Sequence, residues 1–266
     1  MIDKRSKYLR KLILRMVAVN NRGHIGPALS IVEICRVIFD SYLRYRPELP
    51  NWSERDIFIL SKGHGCLALY AILADKKFFP MQELDNFCKP KSILGGHPEF
   101  KKIPGVEAST GALGHGLSIG VGMASAIKIK NQNRTVNILT GDGEINEGSI
   151  WEAAMSAAKH KLYNLNLFID YNKLQSYGKT SEVLELEPMV DKWKSFGFSV
   201  QEVNGHDIQA MENLLKTLPL TKEKPNAIIC HTVKGKGIKF AENNPEWHHK
   251  SNLSNKDLDD LYNSLN

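Results

Sequence analysis

The 266-residue sequence has no apolar run that approaches the ~20 residues needed to span a bilayer. Residues 1–20 are basic, but Leu9, Leu12, Ile13 and Met16 recur at helical spacing. A signal peptide would need a continuous apolar core and a cleavage site of small residues, and this segment has neither. The sequence therefore predicts a cytoplasmic protein that makes no contact with a membrane.

Cysteine is scarce too. The four cysteines are widely separated and include no Cys-x-x-Cys pair: Cys35, Cys66, Cys88 and Cys230. This spacing argues against a zinc site and a disulfide framework, and it is typical of a reducing compartment. Internal repeats, low-complexity segments and linker-like stretches are also missing. With 42% hydrophobic residues the chain can bury a large core, and we expect a single domain over residues 1–266.

The net charge of +6 does not indicate a partner by itself. The basic residues are dispersed, and the densest run, residues 4–15, is expected to be the polar face of an amphipathic helix. We therefore expect no nucleic-acid partner. A mild positive charge is compatible with anionic ligands such as sugar phosphates or a diphosphate.

The segment of residues 135–178 has the pattern of a β-α-β unit. Residues 135–139 and 166–169 are short apolar runs that predict buried strands. Between them, residues 147–160 have apolar positions at helical spacing. Strands joined in this way are parallel, so the pattern predicts a parallel sheet with helices on both faces.

Polar groups follow both predicted strands of this unit. Asp142 lies between Gly141 and Gly143 after the first strand, and Asn172 follows the second. Open α/β sheets bind ligands at the carboxyl ends of their strands. The Asp142 carboxylate, the Asn172 amide oxygen and the Leu174 carbonyl would suit a hard cation such as Mg²⁺, with phosphate and water completing the octahedron. The alternative is a tight glycine turn and a residue that caps a loop.

Histidines occur in several of the other predicted loops. His24 and His97 lie among glycine and proline, His64 follows a predicted strand over residues 56–60, and His248 is near the C-terminus. The strand-loop-helix transition around His64, with Lys62 beside it, could bind an anion. Any one of these histidines could instead be hydrogen-bonded within its own turn.

A long loop of small residues, 104–116, precedes a predicted helix over residues 117–129. Glycines at positions 111, 114, 116 and 120 would let the backbone lie against a flat ring or a diphosphate. The alternative is close packing of the helix against its neighbours.

These motifs together resemble the N-terminal domain of transketolases over nearly the whole chain. The resemblance rests on Gly141-Asp142-Gly143-Glu144 followed by Asn172, which resembles the thiamine diphosphate motif, on Ser61-Lys62-Gly63-His64, on residues 104–111 and on Trp247-His248. It implies a three-layer α/β/α fold with a mostly parallel central sheet, the thiamine-diphosphate-binding fold. It also implies thiamine diphosphate and Mg²⁺ as cofactors.

The resemblance also implies roles for individual residues. The metal would be held by Asp142, Asn172 and the Leu174 carbonyl. The cofactor would be contacted by His64, Gly111, Ala112, Leu113, Gly143, Asn172, His248, Lys62 and Lys234. Catalysis at the sugar would involve His24, His97 and His248. Glu147 would serve subunit contact or a proton relay, or simply interact with a helix dipole.

The chain is shorter than a full transketolase, which has two further domains, one of which carries the glutamate that activates the cofactor. The resemblance therefore implies the N-terminal subunit of a split transketolase. With a C-terminal subunit, in a heterotetramer of two copies of each chain, it would transfer a glycolaldehyde unit from a ketose or ketose phosphate to an aldose. The alternatives are a subunit of another thiamine diphosphate enzyme, of the 2-oxo acid dehydrogenase α or deoxyxylulose phosphate synthase type, and a non-catalytic cofactor-binding subunit.

Overall fold

The structure, a computed structural model, describes residues 2–266. Within them, five parallel strands form one sheet in the order β1-β2-β3-β5-β4. The strands are β1 (Ile57–Leu60), β2 (Val136–Gly141), β3 (Leu165–Tyr171), β4 (Ser199–Asn204) and β5 (Asn226–His231). No helix in the described part of the chain is long and apolar enough to cross a membrane.

Ten α-helices surround the sheet within residues 2–266. They are α1 (Lys4–Asn20), α2 (Ile25–Leu29), α3 (Val32–Val37), α4 (Cys66–Asp75), α5 (His115–Ile129), α6 (Gly148–Lys159), α7 (Thr180–Val183), α8 (Met189–Ser195), α9 (Ile208–Leu215) and α10 (Asn255–Asn263). Short 3₁₀ turns precede α4 and α6, over Gly63–Gly65 and Gly143–Asn146. Asp207 caps α9, its carboxylate accepting a hydrogen bond from Ala210 N–H at 3.0 Å.

Two hydrophobic cores lie on opposite faces of the sheet, because successive strand side chains point to opposite sides. In β1, Phe58 and Leu60 join the core formed with α1–α4, α9 and α10, whereas Ile57 and Ile59 join the core formed with α5, α6 and α8. Every residue of β1, β2 and β3 is buried. The predicted three-layer α/β/α class is confirmed, and all five described strands are parallel.

The strand order places a crevice between β3 and β5. The chain leaves β3 for α8 on one face, whereas after β5 it continues into the core on the other face. Loops that diverge in this way leave a cleft at the carboxyl edge of the sheet, where open α/β folds bind their ligands. The loops that follow β1, β2, β3 and β5 all begin at this edge.

One predicted helix is present with a changed end. The sequence predicts a helix over residues 30–42, and the structure has α3 followed directly by a π-helical turn, Ile38–Tyr42. The short helix α2 precedes it, in a segment that the sequence predicts to be a loop. Ser30, between α2 and α3, donates a hydrogen bond to Asp170 Oδ2 at 2.7 Å and so joins this segment to β3.

Candidate functional site

The carboxyl edge of the sheet contains a cavity of about 270 Å³. It is lined mainly by the polar and glycine residues that the sequence singles out: His24, Lys62, His64, His97, Gly111, Leu113, Asp142, Gly143, Asn172, Leu174, Lys234 and His248. A larger, more open depression of about 1250 Å³ lies behind the loop that follows β5 and is lined by other residues. The smaller cavity is the candidate functional site, because it gathers the chemically active groups.

Asp142 follows β2 and connects two of the loops. Its carboxylate accepts hydrogen bonds from Gly143 N–H at 2.7 Å and from Lys173 N–H, in the loop after β3, at 2.6 Å. Burial, and next the nearby Asp170 carboxylate, raise the pKa of Asp142 to about 7. Negative charge at this position is therefore poorly compensated by the chain itself, and a bound cation would stabilise it.

Asp170, near the end of β3, is the centre of a buried polar network. Its Oδ2 accepts hydrogen bonds from Lys62 Nζ at 2.5 Å and Ser30 Oγ at 2.7 Å, and its Oδ1 accepts one from the Thr232 hydroxyl. Burial raises the pKa of Asp170, but the Lys62 ammonium and these hydrogen bonds outweigh burial, so this pKa lies below its ordinary value. Asp170 therefore stays ionised and joins the loops after β1 and β5.

Asn172 owes its orientation to the same network. Its Nδ2 donates to Asp170 Oδ2 at 3.0 Å, and its Oδ1 accepts a hydrogen bond from Leu174 N–H at 3.1 Å. The amide oxygen is thus fixed on the side away from Asp170, and Asn172 lines the cavity. This arrangement fits the predicted role of Asn172 as an oxygen ligand of a metal ion.

The third predicted metal ligand, the Leu174 carbonyl, has a partner within the protein. Lys234 Nζ donates to it at 2.7 Å and to Gln175 O at 3.3 Å. Burial, and next the charge of Lys62, lower the pKa of Lys234 to about 8. A carbonyl oxygen has two lone pairs, so Leu174 could bind a metal beside Lys234, although no sequence pattern indicates this shared use.

Lys62 also has its partners inside the protein. Besides Asp170, its ammonium reaches Pro27 O at 3.1 Å and Ser30 Oγ at 3.5 Å. Its side chain is buried and lines the cavity. These contacts favour a role for Lys62 in holding Asp170 and the loop of Pro27 in place, and a direct contact with a cofactor stays a prediction.

The predicted histidines converge. The ring centroid of His24 lies 5.6 Å from that of His64, 6.2 Å from that of His97 and 5.7 Å from that of His248. A further ring, His249, lies 4.5 Å from His24 at the exposed mouth of the cluster. Four loops that are distant in sequence therefore bring imidazoles to one wall of the cavity.

Burial lowers the pKa of each predicted histidine. The pKa of His24 falls to about 4 and that of His248 to about 3, with neighbouring rings and lysines adding to the effect of burial. The pKa of His64 is held well below 6.5, and that of His97 is also lowered. All four rings are therefore neutral near pH 7, so each offers one N–H donor and one acceptor nitrogen.

Two buried polar atoms at the cavity point to a polar ligand. Within residues 2–266, Gln175 Nε2 and His248 Nδ1 are buried without a hydrogen-bond partner, and both residues line the cavity. The other ring nitrogen of His248 lies 3.3 Å from Ser176 Oγ. A Cβ atom on Gly143 would lie 2.9 Å from Gln175 Cγ. The glycine at position 143 therefore permits the close approach of these two loops.

The loop of residues 104–116 also contains glycines at which a side chain would collide with a neighbouring loop. Gly111 has a φ of 142°, and a Cβ atom on it would lie 2.9 Å from His97 Cδ2. A Cβ atom on Gly63 would lie 2.7 Å from the backbone nitrogen of Gly111. Gly111 and Leu113 line the cavity, whereas the side chain of Ala112 between them is exposed. Any contribution from Ala112 would therefore come from its backbone.

Two glutamates near the site have different roles. The buried Glu144 carboxylate accepts hydrogen bonds from Gly114 N–H at 2.9 Å, Gly141 N–H at 3.1 Å and the Ser61 hydroxyl. It therefore holds three loops together. Glu147 is exposed at the start of α6 and makes no side-chain capping bond to that helix.

The polar groups of the cavity fit the cofactors that the resemblance implies. Within the described residues, no three His, Cys, Asp or Glu side chains are placed to hold a metal ion, so the histidine cluster is not a metal centre of that kind. One carboxylate, one amide oxygen and one carbonyl are a ligand set that Mg²⁺ completes with phosphate and water oxygens. With the two unpaired polar atoms beside them, these residues fit a metal–diphosphate ligand.

Sequence reasoning missed several residues in or beside the site, among them Asp170, Gln175 and His249. In the sequence Asp170 looks like any polar residue at the end of a strand, because no pattern indicates that it pairs with Lys62. Gln175 lies three positions after Asn172 in a loop without a recognisable signal. His249 directly follows His248, and the doubled histidine was the one available signal.

Comparison with known proteins places the chain in a family. A family model described as "Transketolase, thiamine diphosphate binding domain" matches residues 2–265. A protein of Phocaeicola vulgatus, named as one subunit of apulose-4-phosphate transketolase, is 42% identical over 93% of this chain and 88% of its own length. The 6-deoxy-6-sulfo-D-fructose transketolase subunit SqwG of Clostridium sp. is 40% identical over 91% of this chain and 88% of its own length.

Solved structures agree with the sequence comparison. The crystal structure of a Pichia stipitis transketolase in complex with sedoheptulose 7-phosphate matches with a TM-score of 0.89 and 31% identity. The match covers 97% of this chain but 40% of the Pichia chain. This chain therefore spans about two fifths of the length of that enzyme.

Proposed function

Because this chain belongs to the family of transketolase thiamine diphosphate binding domains, we propose that it is the N-terminal subunit of a two-chain transketolase. With a second subunit it transfers a two-carbon glycolaldehyde unit from a ketose donor to an aldose acceptor. Residues 1–266 act as one domain that binds the diphosphate and Mg²⁺. The observation that carries this proposal is the convergence of Asp142, Asn172 and four neutral histidines on one cavity.

The metal-binding role is assigned to the loops after β2 and β3. Asp142 supplies a carboxylate, Asn172 its amide oxygen and Leu174 its carbonyl. The raised pKa of Asp142 supports this assignment, because a cation would compensate its buried charge. Gly143 and Lys234 line the same cavity as Asp142, so this assignment places the diphosphate beside a residue without a side chain and a lysine ammonium.

The imidazoles are assigned to the reacting sugar. When bound, thiamine diphosphate supplies the carbon nucleophile that adds to the ketose carbonyl and stabilises the charge left when the adjacent carbon–carbon bond breaks. Neutral His24, His97 and His248 can donate hydrogen bonds to a sugar oxygen on which negative charge develops. Their low pKa values support this role, since they keep the rings neutral near pH 7 and leave each an N–H donor for that oxygen. His64 belongs to the same cluster of rings, and we assign it to a contact with the cofactor.

A second subunit completes the proposed site. The two relatives that match almost end to end are both named as subunits, whereas the Pichia enzyme carries the matching region within a longer chain. We assign to the partner the groups that activate the cofactor and most contacts to the acceptor. A heterotetramer with two copies of each chain is the proposed assembly.

Calorimetric titration of thiamine diphosphate in the presence of Mg²⁺ tests this proposal. The chain alone, the chain mixed with the product of a neighbouring reading frame, and the same mixture with Asp142→Ala should be compared. We expect tight binding in the mixture and its loss in the variant. Lys161→Ala, which removes an exposed lysine paired with Glu223, is the matched control and should bind normally. Absence of binding in the wild-type mixture would overturn the cofactor assignment.

A donor screen separates the remaining candidates. The Phocaeicola relative is named for a sugar phosphate and the Clostridium relative for a sulfo sugar, so the panel should contain ketoses with each group. 2-Oxo acids should be included, because a subunit of the 2-oxo acid dehydrogenase or deoxyxylulose phosphate synthase type would consume them. Ketose turnover supports transketolase, 2-oxo acid turnover the other enzymes, and cofactor binding without turnover a non-catalytic subunit.

A further inference from the structure

A second buried charge network lies behind the candidate site, in the wall of the larger depression. The Arg10 guanidinium on α1 donates to both oxygens of the Glu33 carboxylate on α3, at 2.5 and 2.9 Å. His206 Nδ1 lies 2.8 Å from Glu33 Oε2. Burial opposes ionisation of Glu33, but the hydrogen bonds from His206 and Arg10 outweigh burial and lower the pKa of Glu33 to about 2. The proposed mechanism uses none of these residues.

Both partners of Glu33 extend to the turn that carries Lys234. Val233 N–H donates to His206 Nε2 at 2.9 Å, and Arg10 Nε donates to Lys236 O at 2.8 Å. Because Nε2 accepts a hydrogen bond, the proton of the neutral ring is on Nδ1, which donates to Glu33. One backbone group before Lys234 and one after it are therefore tied to a single buried carboxylate.

The turn separates the two depressions. Val233 and Lys236 line the larger one, whereas Lys234 lines the candidate site and reaches Leu174 O and Gln175 O. Further backbone bonds join Gly235 N–H to Gly26 O at 3.2 Å and Asn243 N–H to Lys234 O at 2.9 Å. Movement of this turn would displace the Lys234 ammonium from the loop that carries the proposed metal ligands.

We propose that His206, held in its Nδ1–H form by Glu33, is a positioning residue that fixes the 233–236 turn and so places Lys234 in the site. The importance of Lys234 for the cofactor rests on the proposed function, whereas the control of the turn by His206 does not. His206 itself lies in the turn after β4, whereas its ring accepts a hydrogen bond from a segment 27 residues further on.

Two substitutions separate the two hydrogen bonds of His206. The amide of His206→Asn can replace Nδ1 as a donor to Glu33 but has no atom at the position of Nε2. The longer His206→Gln side chain can place an oxygen where Nε2 accepts the Val233 N–H. His231→Gln is the matched control, because that exposed histidine at the end of β5 hydrogen-bonds to Glu202 rather than to the 233–236 turn.

Amide hydrogen exchange of the full chain, resolved to single residues, provides the decisive measurement. The Val233 amide should be protected in the wild type and should exchange about tenfold faster in His206→Asn, because one buried hydrogen bond is lost. The amides of Gly114 and Gly141, which donate to Glu144, should be unchanged. His206→Gln should restore slow exchange at Val233. Acylation of Lys234, followed by mass spectrometry, should accelerate in His206→Asn alone.

Three results would overturn the proposal: an unprotected Val233 amide in the wild type, equal protection of this amide in His206→Asn, and an equal acceleration of all amides. The first needs no variant, so the proposal can be tested even if a variant does not fold. Titration of thiamine diphosphate with Mg²⁺ into the two-chain mixture measures the effect on cofactor affinity. Weaker binding by His206→Asn but not by His206→Gln supports the proposal. No binding by the wild type would refute the proposed function, while the exchange data would still decide the role of His206.

Discussion

The ion pair between Lys62 and Asp170 allows a quantitative prediction of how a substitution changes the unfolding free energy. Both side chains are buried, and the ammonium lies 2.5 Å from Asp170 Oδ2. In Asp170→Asn the buried Lys62 cation keeps only neutral oxygen partners, those of Pro27 and Ser30. Breaking a buried pair from one side costs about 3–5 kcal/mol, because the remaining charge is not compensated. We therefore expect a loss of unfolding free energy of that size.

Lys62→Met and the double variant Lys62→Met/Asp170→Asn should lose less unfolding free energy than Asp170→Asn. In Lys62→Met the Asp170 carboxylate keeps hydrogen bonds from Ser30, Asn172 and Thr232, so its charge stays partly compensated. The double variant contains neither charge, and we expect it to be more stable than Asp170→Asn. The coupling between the two sites should reach roughly 2–3 kcal/mol, at the upper end for residues in direct contact.

Guanidinium unfolding followed by circular dichroism measures all four proteins. If the two single losses add to the double loss within about 0.5 kcal/mol, the sites are independent. That result would refute the reasoning, because it would mean that water or another group compensates Lys62 when Asp170 is neutral. Titration of thiamine diphosphate with Mg²⁺ is a second reading, since Asp170 also orients the Asn172 amide.

Three further predictions concern other parts of the chain. In α5, Gly122→Ala should stabilise the isolated chain by about 0.5–1 kcal/mol, because a Cβ atom there meets open space. Gly116→Ala should destabilise it by about 1–3 kcal/mol, because the Cβ atom would overlap the Ser61 side chain; equal effects on thermal unfolding would contradict this. The folded chain holds the pKa of His24 at about 4, below 6.5, so the unfolded chain takes up the proton first and stability should fall as the pH drops from 6.5 to about 4. His24→Gln should show a shallower fall in urea unfolding, and an unchanged slope would exclude His24 as a cause. Finally, saturating thiamine diphosphate with Mg²⁺ at about 100 times its Kd should stabilise the two-chain complex by ~2.7 kcal/mol. A similar thermal shift for Asp142→Asn would show that Asp142 is not a ligand.

Much of the fold could be predicted because the strands are short apolar runs that end at turn residues. The predicted strands over 56–60, 135–139 and 166–169 differ from β1, β2 and β3 by one or two residues at their ends. The β-α-β pattern also placed Asp142 and Asn172 at one edge of the sheet, where the structure has them. Local pattern and global fold agree in these segments.

What could not be predicted depends on contacts between distant residues. Lys62 and Asp170 are 108 residues apart, and no periodicity links them. Ser30 donates a hydrogen bond to the same carboxylate, which lies 140 residues further on. Likewise, the sharing of the Leu174 carbonyl with Lys234 depends on how two loops meet. Sequence patterns report burial and turns, whereas the pairing of buried charges is set by tertiary geometry.

The uniform burial of β1 has a consequence for how its pairing with β2 is specified. All four of its residues are apolar and buried, so a shift by one position would exchange the two faces without exposing a polar group or burying one. Charged side chains at both ends of β1 remove this ambiguity. Asp56, before the strand, accepts a hydrogen bond from Thr135 N–H at 2.8 Å, and Lys62, after it, reaches across β2 to Asp170. A slipped pairing would leave Lys62 buried without its carboxylate, so the ion pair selects the native alignment Leu60–Leu139 against its shifted competitors.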